Sequence, residues 1–250
     1  MLTRLRTLGL VCFSIALLAG TASALPSITI DVLDIVGGPE DVTSDGTFTP
    51  AVPAPGQTYF WSLDQSQAIA EGGGTLNSWT VSADEDAAYV TNNINLTNTD
   101  VVTHTYLATV VLPIPAFAYN SIISSSVGAT ITDSNANNSM LLGEEGGFAM
   151  YRGQINGGTA LSLALGPITT ANCSPFPNQP GCSATASNGI TSTPAGPGSA
   201  TSIAILLRFQ LSAGDSVGFT DRLEIVPEPL TGTLLSLGLV GLGFVGRRRR

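Results

Sequence analysis

The sequence predicts an all-β protein: an antiparallel β-sandwich of Greek-key or jelly-roll type, flanked by an N-terminal signal peptide and a C-terminal single transmembrane helix. Three observations predict it. Between residues 25 and 226 the apolar side chains recur at a period of two, and no useful helical period occurs there. Val, Ile, Thr and Tyr gather in short runs bounded by Gly, Pro, Asn and Asp. Some nine to eleven such runs share about 200 residues, the length of one sandwich domain, with no internal repeat.

The first strand is expected in Leu25 to Val36, where Ile28, Ile30 and Val32 share a face. Gly37 to Pro55 is expected to be loop, broken by Gly-Gly-Pro and Asp45-Gly46. Thr58 to Leu63 places Tyr59 and Trp61 on one face and Phe60 on the other, and Leu76 to Ser82 alternates again after three glycines. Tyr89 to Leu112 is the strongest β region. Its two runs flank Thr97-Asn98-Thr99-Asp100, a hairpin signal, and Pro113 and Pro115 should end the second run. Val127 to Thr132, Phe148 to Arg152 and Thr159 to Leu165 are shorter strands. Ala171 to Ala200, rich in Ser, Thr, Gly and Pro, is expected to be an insertion, mobile beyond its first half. Ser202 to Leu211 and Ser216 to Val226 should close the domain as a hairpin through Ser212-Ala213-Gly214-Asp215.

The two ends differ from the middle. Arg4 and Arg6 precede an apolar stretch, Leu8 to Leu18, and small residues at Ala22 and Ala24 suit a signal peptidase cutting after Ala24, so residues 1–24 are expected to be removed on export. At the other end Pro227, Glu228 and Pro229 are followed by 17 uncharged residues, Leu230 to Gly246, and then by Arg247, Arg248, Arg249 and Arg250. As a helix the run spans about 25 Å at ~1.5 Å per residue, slightly short of a bilayer core, and snorkelling arginines can make up the difference. The arginines should stay cytoplasmic, leaving the two prolines extended on the outer side. A motif, a span and a basic stop, in that order over Val226 to Arg250, resemble the PEP-CTERM tail of bacterial proteins handled by exosortase. The resemblance implies membrane insertion, cleavage near the motif by the exosortase, and delivery to the cell surface or extracellular matrix of a Gram-negative-type bacterium. It assigns no catalytic residue to this chain.

Charge narrows the partners. Residues 25 to 226 carry three arginines and 17 acidic residues, a formal charge of −14, which repels nucleic acid and anionic lipid surfaces. Cysteine use fits an oxidising compartment: after signal removal Cys173 and Cys182 remain, with eight residues between them, and one intrachain disulfide is expected, with a metal site disfavoured because no histidine or further thiol accompanies them.

Few residues invite chemistry. Gly214-Asp215-Ser216-Val217-Gly218 matches a nucleophile-elbow pattern, but a strand follows it and the chain's one histidine, His104, lies far upstream, so a turn is the plainer reading. His104, mid-strand and without metal-binding partners, is expected at the surface or rim. Asp84-Glu85-Asp86 and Glu144-Glu145 are acid clusters in turn-like stretches; a matrix hydrolase would need two such carboxylates facing each other. Asp133, Asn135, Asn137 and Glu144 fall at positions 1, 3, 5 and 12 of a twelve-residue stretch, the ligand spacing of an EF-hand loop. The flanks are strands, so the alternatives are a weak calcium-binding hairpin loop and an Asn-rich turn; no other cofactor is expected. The sequence is read as a non-enzymatic, exported surface or matrix protein. A carbohydrate-binding module of the polysaccharide matrix is the alternative, supported if Tyr59, Trp61 or Trp79 stand exposed and opposed if they are buried.

Overall fold

The computed structural model of the protein describes residues 25–49, 58–69, 73–117, 121–137, 140–142, 148–170, 181–194 and 200–227. In chain order the strands are β1 (Ser27–Val32), β2 (Glu40–Asp41), β3 (Gly46–Thr49), β4 (Tyr59–Leu63), β5 (Gln67–Ile69), β6 (Gly74–Asp84), β7 (Tyr89–Thr97) and β8 (His104–Phe117). They continue as β9 (Ser121–Asp133), β10 (Met140–Leu142), β11 (Tyr151–Ile155), β12 (Gly158–Leu163), β13 (Ile168–Thr169), β14 (Cys182–Pro194), β15 (Ala200–Leu211) and β16 (Ser216–Pro227). A short 3-10 turn, Thr43–Asp45, precedes β3. Among the described residues no helix is long and apolar enough to cross a membrane. The candidate span Leu230 to Gly246 and the signal region lie outside them.

The strands form two antiparallel sheets of eight strands each among the described residues. Sheet A runs β12-β11-β15-β8-β1-β2, with β10 beside β15 and β13 beside β10. Sheet B runs β14-β9-β16-β7-β6-β4-β3, with β5 on β6. The predicted all-β antiparallel sandwich is therefore observed. The period of two explains it. In β8 the side chains of Tyr106, Ala108, Val110 and Leu112 are buried, while Leu107, Thr109 and Val111 between them are only half-buried. The buried sets of the two sheets meet face to face: Phe209 of sheet A packs on Phe219 of sheet B with ring centroids 4.7 Å apart and stacks on Tyr106 at 5.4 Å. Gly153 on β11 marks a close approach of the sheets, since a Cβ there would lie 2.9 Å from Leu223 Cδ1 of β16.

Four expectations are corrected. The region Tyr89 to Leu112 is not a hairpin: β7 lies in sheet B and β8 in sheet A, so residues 98–103 arch over the end of the core. The pair Ser202 to Leu211 and Ser216 to Val226 behaves alike, with β15 in sheet A and β16 in sheet B. Both turns carry hairpin-type residues, but burial decides. Each strand has a mostly apolar inward row that needs a facing sheet, and crossing the core supplies one. Next, β8 continues through Pro113 and Pro115 instead of ending there. Its neighbour β1 stops at Val111, and Pro113 pairs with Ser202 beside a bulge in β15, so the prolines fall where β8 is paired on one side only. Finally, residues 182–194 are not a mobile insertion but the edge strand β14, in register with β9 from Cys182↔Asp133 to Pro194↔Ile122. Its inward side chains are as small as Ala184 and Ala186, which conceals the alternation.

Candidate functional site

The candidate aromatic platform is not on the surface. Tyr59, Trp61 and Trp79 are at most 1% exposed and belong to the core. Trp61 and Trp79 meet edge to face at 6.2 Å, and Trp61 Nε1 donates to the Thr43 carbonyl at 3.1 Å. Sheet closure from β3 to β6 buries them. Phe60, which alternates with Tyr59 and Trp61, points the other way and is 43% exposed on the outer side of sheet B.

The three described members of the calcium-spaced stretch form a turn. Asp133 is fully buried, and its Oδ1 accepts the backbone amides of Asn135, Ala136 and Asn137 at 3.2, 2.5 and 3.3 Å. The Thr170 hydroxyl donates to its Oδ2 at 3.4 Å. Asn135 and Asn137 both donate through Nδ2 to the Ala213 carbonyl, at 2.8 and 3.2 Å, clasping this turn to the β15–β16 arch. Gly214 fits that clasp because it has φ +73° and a Cβ there would strike Asn135 Nδ2 at 2.4 Å. Asp215, also buried, accepts Ser134 N at 3.2 Å and Ser212 Oγ at 2.8 Å; burial, followed by the neighbouring Asp133 charge, pushes its carboxyl above the ordinary value. These oxygens face donors. Glu144 lies outside the described residues, and among those described no group of three or more His, Cys, Asp or Glu is placed to hold a metal ion.

His104 is not at the surface: it is 4% exposed, with Nδ1 2.6 Å from Asp34 Oδ2 and Nε2 2.9 Å from Asp100 Oδ2. Burial opposes its charge, but the hydrogen bonds to Asp100 and Asp34 outweigh burial and hold its pKa above the usual histidine value. Both ring nitrogens are therefore occupied, and Ser216 Oγ bonds Thr97 Oγ1 at 2.7 Å in a turn that leads into a strand, so no nucleophile elbow is assembled. In Asp84-Glu85-Asp86, Asp84 Oδ1 accepts Ala87 N at 2.9 Å and closes the β6–β7 turn. Glu144 and Glu145 are outside the described residues. Cys182 is disulfide-bonded at the start of β14; Cys173, the partner designated by the sequence, lies outside the described residues. So do Ala22, Ala24, Glu228, Pro229 and Arg247 to Arg250, while Pro227 is the last residue of β16.

Sequence reasoning missed two features. One is Asp221, 1% exposed inside the sandwich. Its Oδ2 accepts Asn92 Nδ2 at 2.9 Å, Trp79 Nε1 donates to the Asn92 oxygen, and its Oδ1 has no hydrogen-bond partner. Burial pushes the Asp221 carboxyl up to about 8 against the opposing Asn92 bond. The signal was present: Asp221 falls on the inward parity of β16, with Phe219 and Leu223.

The other feature is the outer face of sheet B. The ladders align its outward residues into rows running across the strands. One row is Thr185, Thr130, Gly218, Asn95 and Ser78; the next is Ser187, Gly128, Thr220, Asn93, Thr80 and Ser62. Neither row contains a charged side chain. Cross-strand bonds order part of the face: Thr220 Oγ1 to Asn93 Oδ1 at 2.8 Å and Asn77 Nδ2 to Asn95 Oδ1 at 2.8 Å. Around Gly128 and Gly218 the face dips into a shallow concavity of about 460 Å³ bordered by Thr130, Thr185, Ser187 and Thr220. Phe60 stands on the same face, in the row that holds Ser82, Thr91 and Arg222.

No family model matches the chain, and no curated protein matches it. Among solved structures that match is the carbohydrate-binding module TmCBM61 in complex with β-1,4-galactotriose, 13% identical over 60% of this chain and 88% of that one, with a TM-score of 0.30.

Proposed function

We propose that the protein is an exported, non-enzymatic cell-surface or extracellular-matrix protein, sorted and processed by an exosortase through its PEP-CTERM-like tail after signal peptidase has removed residues 1–24. The observation that carries this is where the first and last described strands begin and end. β1 begins at Ser27, and β16, a central strand of sheet B, ends at Pro227, the first residue of the motif. Cuts after Ala24 and beside Pro227-Glu228-Pro229 would spare both sheets. Mass spectrometry of the protein from its native host tests the reading. A mature chain beginning at Leu25 and ending at or beside the motif is expected; one that still ends in Arg250 would make the tail a plain anchor.

A second reading, a carbohydrate-binding sandwich of the extracellular polysaccharide matrix, is favoured by the uncharged hydroxyl and amide rows of sheet B. The buried Tyr59, Trp61 and Trp79 take no part in it.

A further inference from the structure

We propose that the outer face of sheet B binds a neutral polysaccharide chain, laid across β14, β9, β16 and β7 over the concavity at Gly128 and Gly218. The proposal rests on the carbohydrate reading and is independent of how the tail is processed.

The two glycines point to it. Glycine weakens a strand interior and is used there for a bulge, a sharp bend or the close approach of something to the backbone. Neither Gly128 nor Gly218 has a positive φ, and the β16–β9 ladder that joins their strands runs through both without a register shift. Nothing in the protein crowds them either: a Cβ on Gly128 would find its nearest atom at 3.8 Å and one on Gly218 at 3.6 Å, ordinary contact distances. The fold would accept a side chain at both positions. What the glycines do is lower the floor between Thr130, Thr185, Ser187 and Thr220, leaving a dip of about 460 Å³, within the ~300–1,000 Å³ of small-ligand sites.

Charge and functional groups select the occupant. The domain carries −14 overall, so an anionic polymer is repelled, yet the two rows bearing the glycines hold only hydroxyls, amides and glycine. Such groups both donate and accept hydrogen bonds, as sugar hydroxyls do. A chain running along the rows from the dip would advance toward β4. There Phe60, the exposed aromatic side chain among the described residues, offers a ring on which a sugar can stack.

The test is native affinity electrophoresis of the protein recovered from its host, in gels containing β-glucan, galactan or xylan, with alginate as the anionic control. Wild type should be retarded by at least one neutral polymer and not by alginate. Gly218→Val should abolish the retardation while leaving the melting temperature unchanged or higher, because a β-branched residue suits an uncrowded strand position. Phe60→Ala should weaken binding roughly tenfold, the loss of one stacked ring. Absence of retardation by every neutral polymer, retardation by alginate alone, or a Gly218→Val variant that binds like wild type would each overturn the proposal. So would light scattering in which wild type pairs through this face and Gly218→Val does not, since that would assign the face to a second copy.

Discussion

Asp133 and Asp221 are both buried aspartates on strands of sheet B, and the structure treats them oppositely. Asp133 ends β9, where the chain turns, and three consecutive amides converge on one of its oxygens. Asp221 sits mid-strand in β16, where neighbouring backbone amides are committed to the ladders with β7 and β9, and one of its oxygens is left bare. The difference teaches that burial alone does not decide which donors a carboxylate finds. Loose backbone donors are available at strand ends and absent from strand middles, so the same side chain serves as a turn-forming acceptor in one place and as a nearly neutral acid in the other.

The sharpest test of this contrast is Asp133→Ala. It would leave three part-buried amide donors of the turn without their acceptor, strip the buried Thr170 hydroxyl of its Asp133 partner and release the clasp onto Ala213, so a loss of about 3 kcal/mol is expected in urea unfolding at pH 7. A loss below 1 kcal/mol would remove the distinction between the two sites.

Asp221→Asn should act in the other direction. The Asp221 carboxyl is raised to about 8, so its contribution is fully present below pH 3.8 and is lost as pH rises to about 8. Wild type should therefore lose a few kcal/mol across that window relative to Asp221→Asn, at ~1.4 kcal/mol per tenfold. Parallel stability curves for the two proteins would show that Asp221 has found a partner for its second oxygen.

His104 supplies a milder, intermediate case: an ionisable group that is buried and fully paired. Its pKa is raised, so its contribution is fully present below pH 6.5 and fades as pH rises through the raised value. Asp34 and Asp100 are lowered, so theirs is present above 3.8 and fades as pH falls; for Asp100 the cause is the His104 hydrogen bond, and for Asp34 burial is outweighed by the Thr105 amide and His104. The cluster is thus strongest between pH 3.8 and 6.5. His104→Gln should cost about 1 kcal/mol there, a modest value because both carboxylates reach solvent. The cost should shrink at pH 9, measured by the same unfolding curves.

Strand existence was legible wherever inward side chains were large. Ile28, Ile30 and Val32 marked β1, and the run from Tyr89 marked β7. It was illegible where inward residues were small, as at Ala184 and Ala186 of β14, or where strands had only two or three residues, as in β2, β5 and β13. The candidate sites fared similarly. Asp84 as a turn residue followed from its local neighbours. The carboxylates around His104 come from 70 residues upstream and from the adjacent arch, and no spacing rule joins them.

The sequence by itself determined the all-β class, the antiparallel arrangement and the inward parity of most long strands, because alternation with a period of two is a local property that burial of one face enforces. Only the tertiary structure decided that the two strongest strand pairs arch between sheets, that Trp61 and Trp79 are core while Phe60 is surface, and that Gly128 and Gly218 lie diagonally across neighbouring strands of one face. Those outcomes depend on which strand lies beside which across the sheets, and that is set by closing two apolar faces on each other, not by any short stretch of chain.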